Sequence, residues 1–182
     1  IGRAQDVLVI LNAVRCMKGT SPFIVHFVGE GACLSLAKEF VAKFHLQSHV
    51  VFHGKRPLEE MNAFYAIADA FILTLKGDTW VGTTIPSRLQ GYMSAGRPIF
   101  AAINGGARYV IEQAKCGASV PAGDFKALAT LLDNFVNSPQ NYAQCGLNGK
   151  AYFQEHFTKE IFLNSLERIF NQVRKEENHV CK

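Results

Sequence analysis

The run Ala70-Phe71-Ile72-Leu73-Thr74-Leu75 constrains the fold more than any other feature of the chain. It is short, apolar without alternation and rich in aromatic and branched residues, the pattern of a strand covered on both faces. Strands of that kind belong to parallel sheets, because the crossovers between parallel strands lay helices over the sheet. The rest of the chain repeats the unit. Short apolar runs at 23–28, 50–53, 98–102 and 118–120 alternate with stretches whose apolar residues recur at helical spacing. The first such stretch, 6–18, carries Val7, Ile10, Leu11 and Val14 and stops at Gly19. The next carry Ala37, Phe40, Val41 and Phe44, then Met61, Phe64, Tyr65 and Ala68 within 57–68, then Tyr109, Val110 and Ala114. The expected fold is therefore α/β over 1–123, a Rossmann-like parallel sheet with helices on both faces. From 124 to 182 the pattern turns all-helical, through Leu128, Leu131, Leu132 and Phe135, then 142–153, then a helix from Thr158 carrying Ile161, Phe162, Leu166, Ile169, Phe170 and Val173. The polar tail from Arg174 is expected to fray.

Composition narrows the class. With 182 residues, 48% hydrophobic and 19% charged, the chain suits one globular domain with a substantial core. The formal charge of +4 is dispersed, and no Lys/Arg block points to nucleic acid. The cysteines at 16, 33, 116, 145 and 181 are odd in number and form no C-x-x-C pair, which argues against a disulfide framework or zinc site and for a reducing cytoplasm. None of the six histidines forms a metal-spaced cluster, so no metal site is expected. No apolar run approaches a membrane span, and the amino end lacks the layout of a signal peptide.

In open parallel sheets ligands gather beyond the carboxyl ends of the strands, here the loops 29–33, 53–56, 76–87 and 104–108. The third of these feeds a helix. Thr83 or Thr84 can cap it, Pro86 suits its first turn, Gly96 suits a left-handed stop and Pro98 forbids continuation, which predicts a helix over 86–95. Arg88 adds a positive charge to a helix end that normally disfavours one; a bound anion explains it, and so does an ordinary exposed arginine. Gly29-x-Gly31 after a strand lacks the third glycine, Leu34 standing in its place, so a turn pair explains it better than a dinucleotide fingerprint. His53, beside Gly54 and Lys55 at a strand end, stands where sites form, whereas His26 lies mid-strand. Glu30 and Asp78 are too few for the acidic cluster of a phosphorelay receiver. No nucleophile elbow, P-loop or zinc-protease helix is present.

Five pieces in order carry a family resemblance: Val28-Gly29-Glu30-Gly31; Val51-Phe52-His53-Gly54; M-N-A-F-Y-A-I-A-D-A-F-I-L-T-L over 61–75; P-S-R-L-Q-G-Y-M-S-A-G-R-P-I over 86–99; and Cys116-Gly117 with Val120-Pro121-Ala122-Gly123-Asp124. Together they resemble the C-terminal, donor-binding domain of retaining GT-B glycosyltransferases, group 1 or family 4, and above all the members that build bacterial polysaccharides. The resemblance covers nearly the whole chain. It implies one nucleotide-sugar-binding domain over 1–182 with no cofactor, a UDP-linked sugar as donor, and retaining hexosyl or N-acetylhexosaminyl transfer to a glycan or lipid-linked acceptor. The base would rest near His53, Gly54 and Lys55, with Gly29 and Gly31 close by. The diphosphate would rest on Thr84, Ile85, Pro86, Ser87 and Arg88, and Arg88 and Thr83 would serve the chemistry. Gly2 and Gln5 resemble a G-x-x-Q variant of the family's glycine turn.

Two departures stand out. The family's paired glutamates would fall at Thr83 and Gly91, so both carboxylates are absent; Thr83 retains a hydroxyl for the sugar, and Gln90 stands next to the vacated second position. The family's lysine early in the first helix is also missing, and Glu112, which matches a common Ile-Glu pair, suits a solvated or capping role. Two other readings share these residues, a donor-like interaction module without catalysis and a sugar-nucleotide 2-epimerase. The resemblance further implies a fragment, without the N-terminal acceptor domain that could touch the inner face of the membrane, and without a central strand of which 1–3 would be the remnant. Bare backbone groups, strand recruitment from another copy and exposure of Ile169, Phe170 or Val173 are then expected.

Overall fold

A computed structural model describes residues 1–19, 21–78 and 80–180; Cys181 and the side chains of Val81 and 175–180 lie outside the described residues. After a short 3-10 turn, Arg3–Gln5, the chain alternates α1 (Val7–Cys16), β1 (Val25–Val28), α2 (Leu34–Lys43), β2 (Val50–Gly54), α3 (Met61–Ile67), β3 (Phe71–Thr74), α4 (Ser87–Ala95), β4 (Ile99–Ala102), α5 (Gly105–Ala114) and β5 (Gly117–Val120). Three helices follow, α6 (Phe125–Asn137), α7 (Ala143–His156) and α8 (Lys159–Val180). Every strand pair is parallel, as the apolar run at 70–75 requires. The strands form two sheets rather than one, β1-β2 and β3-β4-β5.

The pleat sorts the core. On β4, Phe100 and Ala102 point to one face and Ile99 and Ala101 to the other, and all four are fully buried. The first pair packs with Val9 and Ala13 of α1 and with Leu128 and Leu132 of α6. The second pair packs with Leu73 of β3, Leu89 and Met93 of α4, and Val110 and Ile111 of α5. On β1 and β2 only one face is covered in this way: Phe27 and Val50 join Val7, Ile10 and Leu11 of α1 and Val41 of α2. α1 therefore contributes to both halves. Each fully buried side chain of this size stabilises the fold by about 1.5–3 kcal/mol.

The C-terminal helices return to this frame through small residues. A Cβ on Gly146 of α7 would lie 2.2 Å from the Gly96 carbonyl, so only glycine admits this approach to the end of α4. On α8, Phe162, Leu163, Ile169, Phe170 and Val173 are exposed.

Several local expectations are corrected. The helix expected over 57–68 is broken into a 3-10 turn, Leu58–Glu60, and α3, because Pro57 is extended and the turn closes on itself. Tyr109, expected on the inner face of α5, is exposed, while Val110, Ile111 and Ala114 face inward. The tail expected to fray from Arg174 continues as helix to Val180; nothing in Arg174-Lys175-Glu176-Glu177-Asn178 breaks a helix.

Candidate functional site

Parallel pairing brings the carboxyl ends of the strands within each sheet, and the loops beyond them, to one side, the mouth of the candidate site. Its anchor is the loop between β3 and α4. This loop holds a 3-10 turn, Trp80–Thr83, in which the Thr83 hydroxyl donates to the Trp80 carbonyl at 2.7 Å. Thr83 therefore does not cap α4, and neither does Thr84. Pro86 occupies the N-cap position with an extended backbone, ψ 139°, and the helix begins at Ser87, one residue later than expected. No side chain caps this end, so its leading N–H groups remain directed at whatever lies beyond. Ile85 and Ser87 are exposed, and Arg88 and Gln90 are half-buried.

The same loop is seated on the start of α5. Gly105 has φ +64°, and a Cβ there would lie 2.5 Å from Thr83 Cα, so the Asn104-Gly105-Gly106 turn is a platform for Thr83 and Ile85. Asn104 ties that turn to the loop after β5 by accepting from the Ala122 N–H at 3.2 Å. Asn-Gly-Gly reads in sequence as a turn; its role as a seat depends on backbone from a segment twenty residues earlier, which local pattern does not register.

Gly2 and Gln5 are brought together with each other. The Gly2 N–H donates to Gln5 Oε1 at 2.7 Å, so the Gln5 side chain closes the opening turn. The Gln5 carbonyl in turn accepts from the Thr74 hydroxyl at the end of β3. Gly29 and Gly54 are joined by an N–H to carbonyl bond of 2.8 Å. Gly31 meets the first residue of the chain, a Cβ there falling 2.5 Å from the Ile1 carbonyl oxygen.

His53 stacks on His26 with ring centroids 5.1 Å apart, their Nδ1 and Nε2 atoms sharing one proton at 2.8 Å, and Phe64 of α3 meets His53 edge-on. Desolvation, then the neighbouring His26 and Arg56, hold the His53 imidazole below its usual range, which favours the neutral ring. His26, expected as an ordinary strand residue, is thus a partner of His53. The pairing follows from β1 and β2 lying side by side, with His26 opposite Val51. Arg56 donates to the His53 carbonyl at 3.2 Å and pairs loosely with Glu60; Lys55 is exposed.

Position 91 has an unforeseen neighbour. A Cβ on Gly91 would lie 3.2 Å from the Tyr65 hydroxyl, so a phenol from α3 stands beside the site of the absent carboxylate. At the next residue of α4, burial raises the Tyr92 pKa, an effect partly offset by the guanidinium of Arg88, one turn earlier, to which its hydroxyl is bonded. Arg88 and Tyr92 thus form a pair at the foot of the mouth. Glu112 lies outside it, accepting from Arg108 at 2.8 Å and Ser119 at 3.1 Å; these bonds hold its carboxyl below the usual range. That is the solvated role expected of it. Asp6, at the start of α1, has its carboxyl raised by burial, with Lys76 and Asp78 nearby as opposing influences.

Known proteins share this fold. The chain is 27% identical over 176 residues to the "Probable glycosyltransferase WbjE" of Pseudomonas aeruginosa, covering 96% of this chain and 42% of that protein. It is 26% identical over 167 residues to the amylovoran biosynthesis glycosyltransferase AmsK of Erwinia amylovora, covering 91% of this chain and 41% of that protein. The chain thus spans less than half the length of these relatives. The crystal structure of Anabaena HepE in complex with UDP superposes with a TM-score of 0.80 at 17% identity, over 92% of this chain and 45% of that one, so the fold is that of GT-B glycosyltransferases. Among the described residues no helix is long and apolar enough to cross a membrane. The family model described as glycosyl transferases group 1 matches residues 1–152, and the chain belongs to that family.

Proposed function

We propose that this chain is the donor-binding part of a glycosyltransferase, taking a nucleoside diphosphate sugar at the mouth formed by the strand carboxyl ends. The observation that carries the reading is the uncapped start of α4 with Arg88 in its first turn, held by a loop seated on α5. Backbone N–H groups and a guanidinium suit a diphosphate, and they suit it best when charge develops on it as a leaving group. Ser87, Thr84 and Arg88 would hold the diphosphate, and Thr83 a sugar hydroxyl. The neutral His53, stacked on His26, offers the base an aromatic edge beside Gly54 and Lys55. Gln90 and the Tyr65 hydroxyl near Gly91 are the polar groups left to meet the ribose.

Transfer with retention, to a glycan or lipid-linked acceptor held by the remainder of a longer polypeptide, completes the proposal. That remainder would also carry any association with the inner face of the membrane. UDP, the nucleotide bound in the HepE structure, is the first candidate for the base. A second reading, an interaction module without catalysis, is favoured by Thr83 and Gly91 standing where paired carboxylates would be. Calorimetric titration with UDP and GDP separates them. Arg88→Ala is expected to weaken the preferred nucleotide by roughly 10- to 150-fold, the equivalent of about 1.5–3 kcal/mol for a charged hydrogen-bonding group. Equal affinity in the two proteins removes Arg88 from the site, and no binding of either nucleotide favours the module.

A further inference from the structure

β1 and β2 run in register from Val25 opposite Val50 to Phe27 opposite Phe52, and the next partners are Val28 and Gly54. The ladder therefore passes over His53, a one-residue bulge of a kind uncommon between parallel strands, and the pairing itself does not fix such an extra residue. Side chains fix it instead. Its ring meets His26 at 2.8 Å, nitrogen to nitrogen, and the edge of Phe64 of α3 with ring centroids 5.0 Å apart. Its carbonyl accepts from Arg56 Nε at 3.2 Å. Gly54, the next residue, has φ +69° and leads into the loop that carries Lys55 and Arg56. Holding the bulge therefore holds the start of that loop.

Two neutral rings keep the contact because one nitrogen donates and the other accepts. A first added proton leaves it intact, as an imidazolium donating to a neutral ring. A second puts a donor on both nitrogens, at a separation that only a donor and an acceptor tolerate. The pair therefore titrates as a unit. Among the described residues the other charge facing it is Arg56, itself paired with Glu60 at 3.7 Å, and α3 brings only the uncharged Phe64. Desolvation, then His26, then Arg56 oppose protonation of His53, which sets the second step below the usual histidine range.

We propose that His26 is a positioning residue for nucleotide binding: its ring holds the bulged His53, and with it the loop behind Gly54, at neutral pH, and acid breaks the pair and weakens the site. The inference deepens the nucleotide reading and rests on it, since His53 must face the base for its position to matter. Affinity is full above the depressed His53 pKa and is lost as pH falls through it.

The test measures UDP and GDP binding by calorimetry at pH 7.5 and pH 5.0 on the full 182-residue chain and on its His26→Asn and His26→Ala variants. Asparagine carries an amide that can turn either its oxygen or its nitrogen toward His53, and it does not titrate. At pH 7.5, His26→Asn is expected to bind the preferred nucleotide within about twofold of wild type, and His26→Ala about 3- to 10-fold more weakly, the range of one neutral hydrogen bond. At pH 5.0, wild type is expected to lose about threefold or more beyond the loss in His26→Asn. Protonation of the nucleotide's own terminal phosphate, with a pKa of about 6, is common to all three proteins and cancels. Equal pH dependence in the three proteins overturns the proposal and leaves the nucleotide reading standing, as does equal affinity of all three at pH 7.5 or an asparagine variant no better than alanine. Absence of binding by wild type at both pH values overturns the nucleotide reading and this inference with it.

Discussion

β4 and β1 are both four-residue parallel strands, yet their surroundings differ. β4 is paired on both sides and buried at every position, with Phe100 and Ala102 on one face and Ile99 and Ala101 on the other. β1 is paired on one side only, is apolar toward α1 and α2, and turns His26 to solvent on its other face. The difference divides the mouth as well. One side of it, the loop ahead of α4 and the turn ahead of α5, stands on the three-stranded half. The other side, Gly29 to Gly31 and His53 to Arg56, stands on the two-stranded half. The first is held by packing on two faces, the second by packing on one, and local opening is expected to favour the second.

The largest effect that would sharpen this contrast is a cavity in each half. Phe100→Ala should cost about 3–5 kcal/mol, the range for a fully buried phenylalanine. Phe27→Ala, on the wall of a cavity and with its ring already stacked on Phe52, should fall at or below the lower end, about 3 kcal/mol. Urea unfolding of both variants measures the two costs, and equal costs would break the comparison.

A smaller effect separates the halves by pH. Cys116, wholly buried in the three-stranded half, has its thiol pushed up from 9.0 to about 12 by burial. The folded state thus keeps a proton that the unfolded chain loses near pH 9. Its contribution is full below that pH and declines as pH rises toward 12. Wild type should therefore lose more stability than Cys116→Ala between pH 8 and pH 10, and parallel losses would show that the thiol is not shielded.

The smallest effect belongs to the open face of β1. His26→Ala should change stability by no more than about 0.5 kcal/mol, because the ring is exposed. It should nevertheless raise the His53 pKa, since His26 is one of the influences that lower it. An NMR titration of His53 in the variant checks this, and an unchanged midpoint would mean that desolvation and Arg56 set it without His26.

Much of the fold is legible in the sequence. The strands at Phe71, Ile99 and Val50 announce themselves through unbroken apolar runs, and the helices through spacing that places Val7, Ile10, Leu11 and Val14 on one stripe. The position of the mouth was legible too, because parallel strands bring their carboxyl ends to one side. What was not legible lies at junctions. Pro86 permits either a first helical residue or an N-cap, and the choice was made by its extended ψ within a loop packed on Gly105. Tyr109 has the hydrophobicity of an inward residue, but the inner face of α5 was taken by Val110, Ile111 and Ala114.

What the sequence alone determined is the type and order of the elements, since periodicity records which side chains must leave water, and the family, since five motifs stand in order. Only the tertiary structure decided which distant residues meet: Tyr65 with Gly91, His26 with His53, Thr83 with Gly105, and Ile1 with Glu30. Those meetings depend on how helices and crossovers pack in three dimensions. Local spacing along the chain carries no term for that.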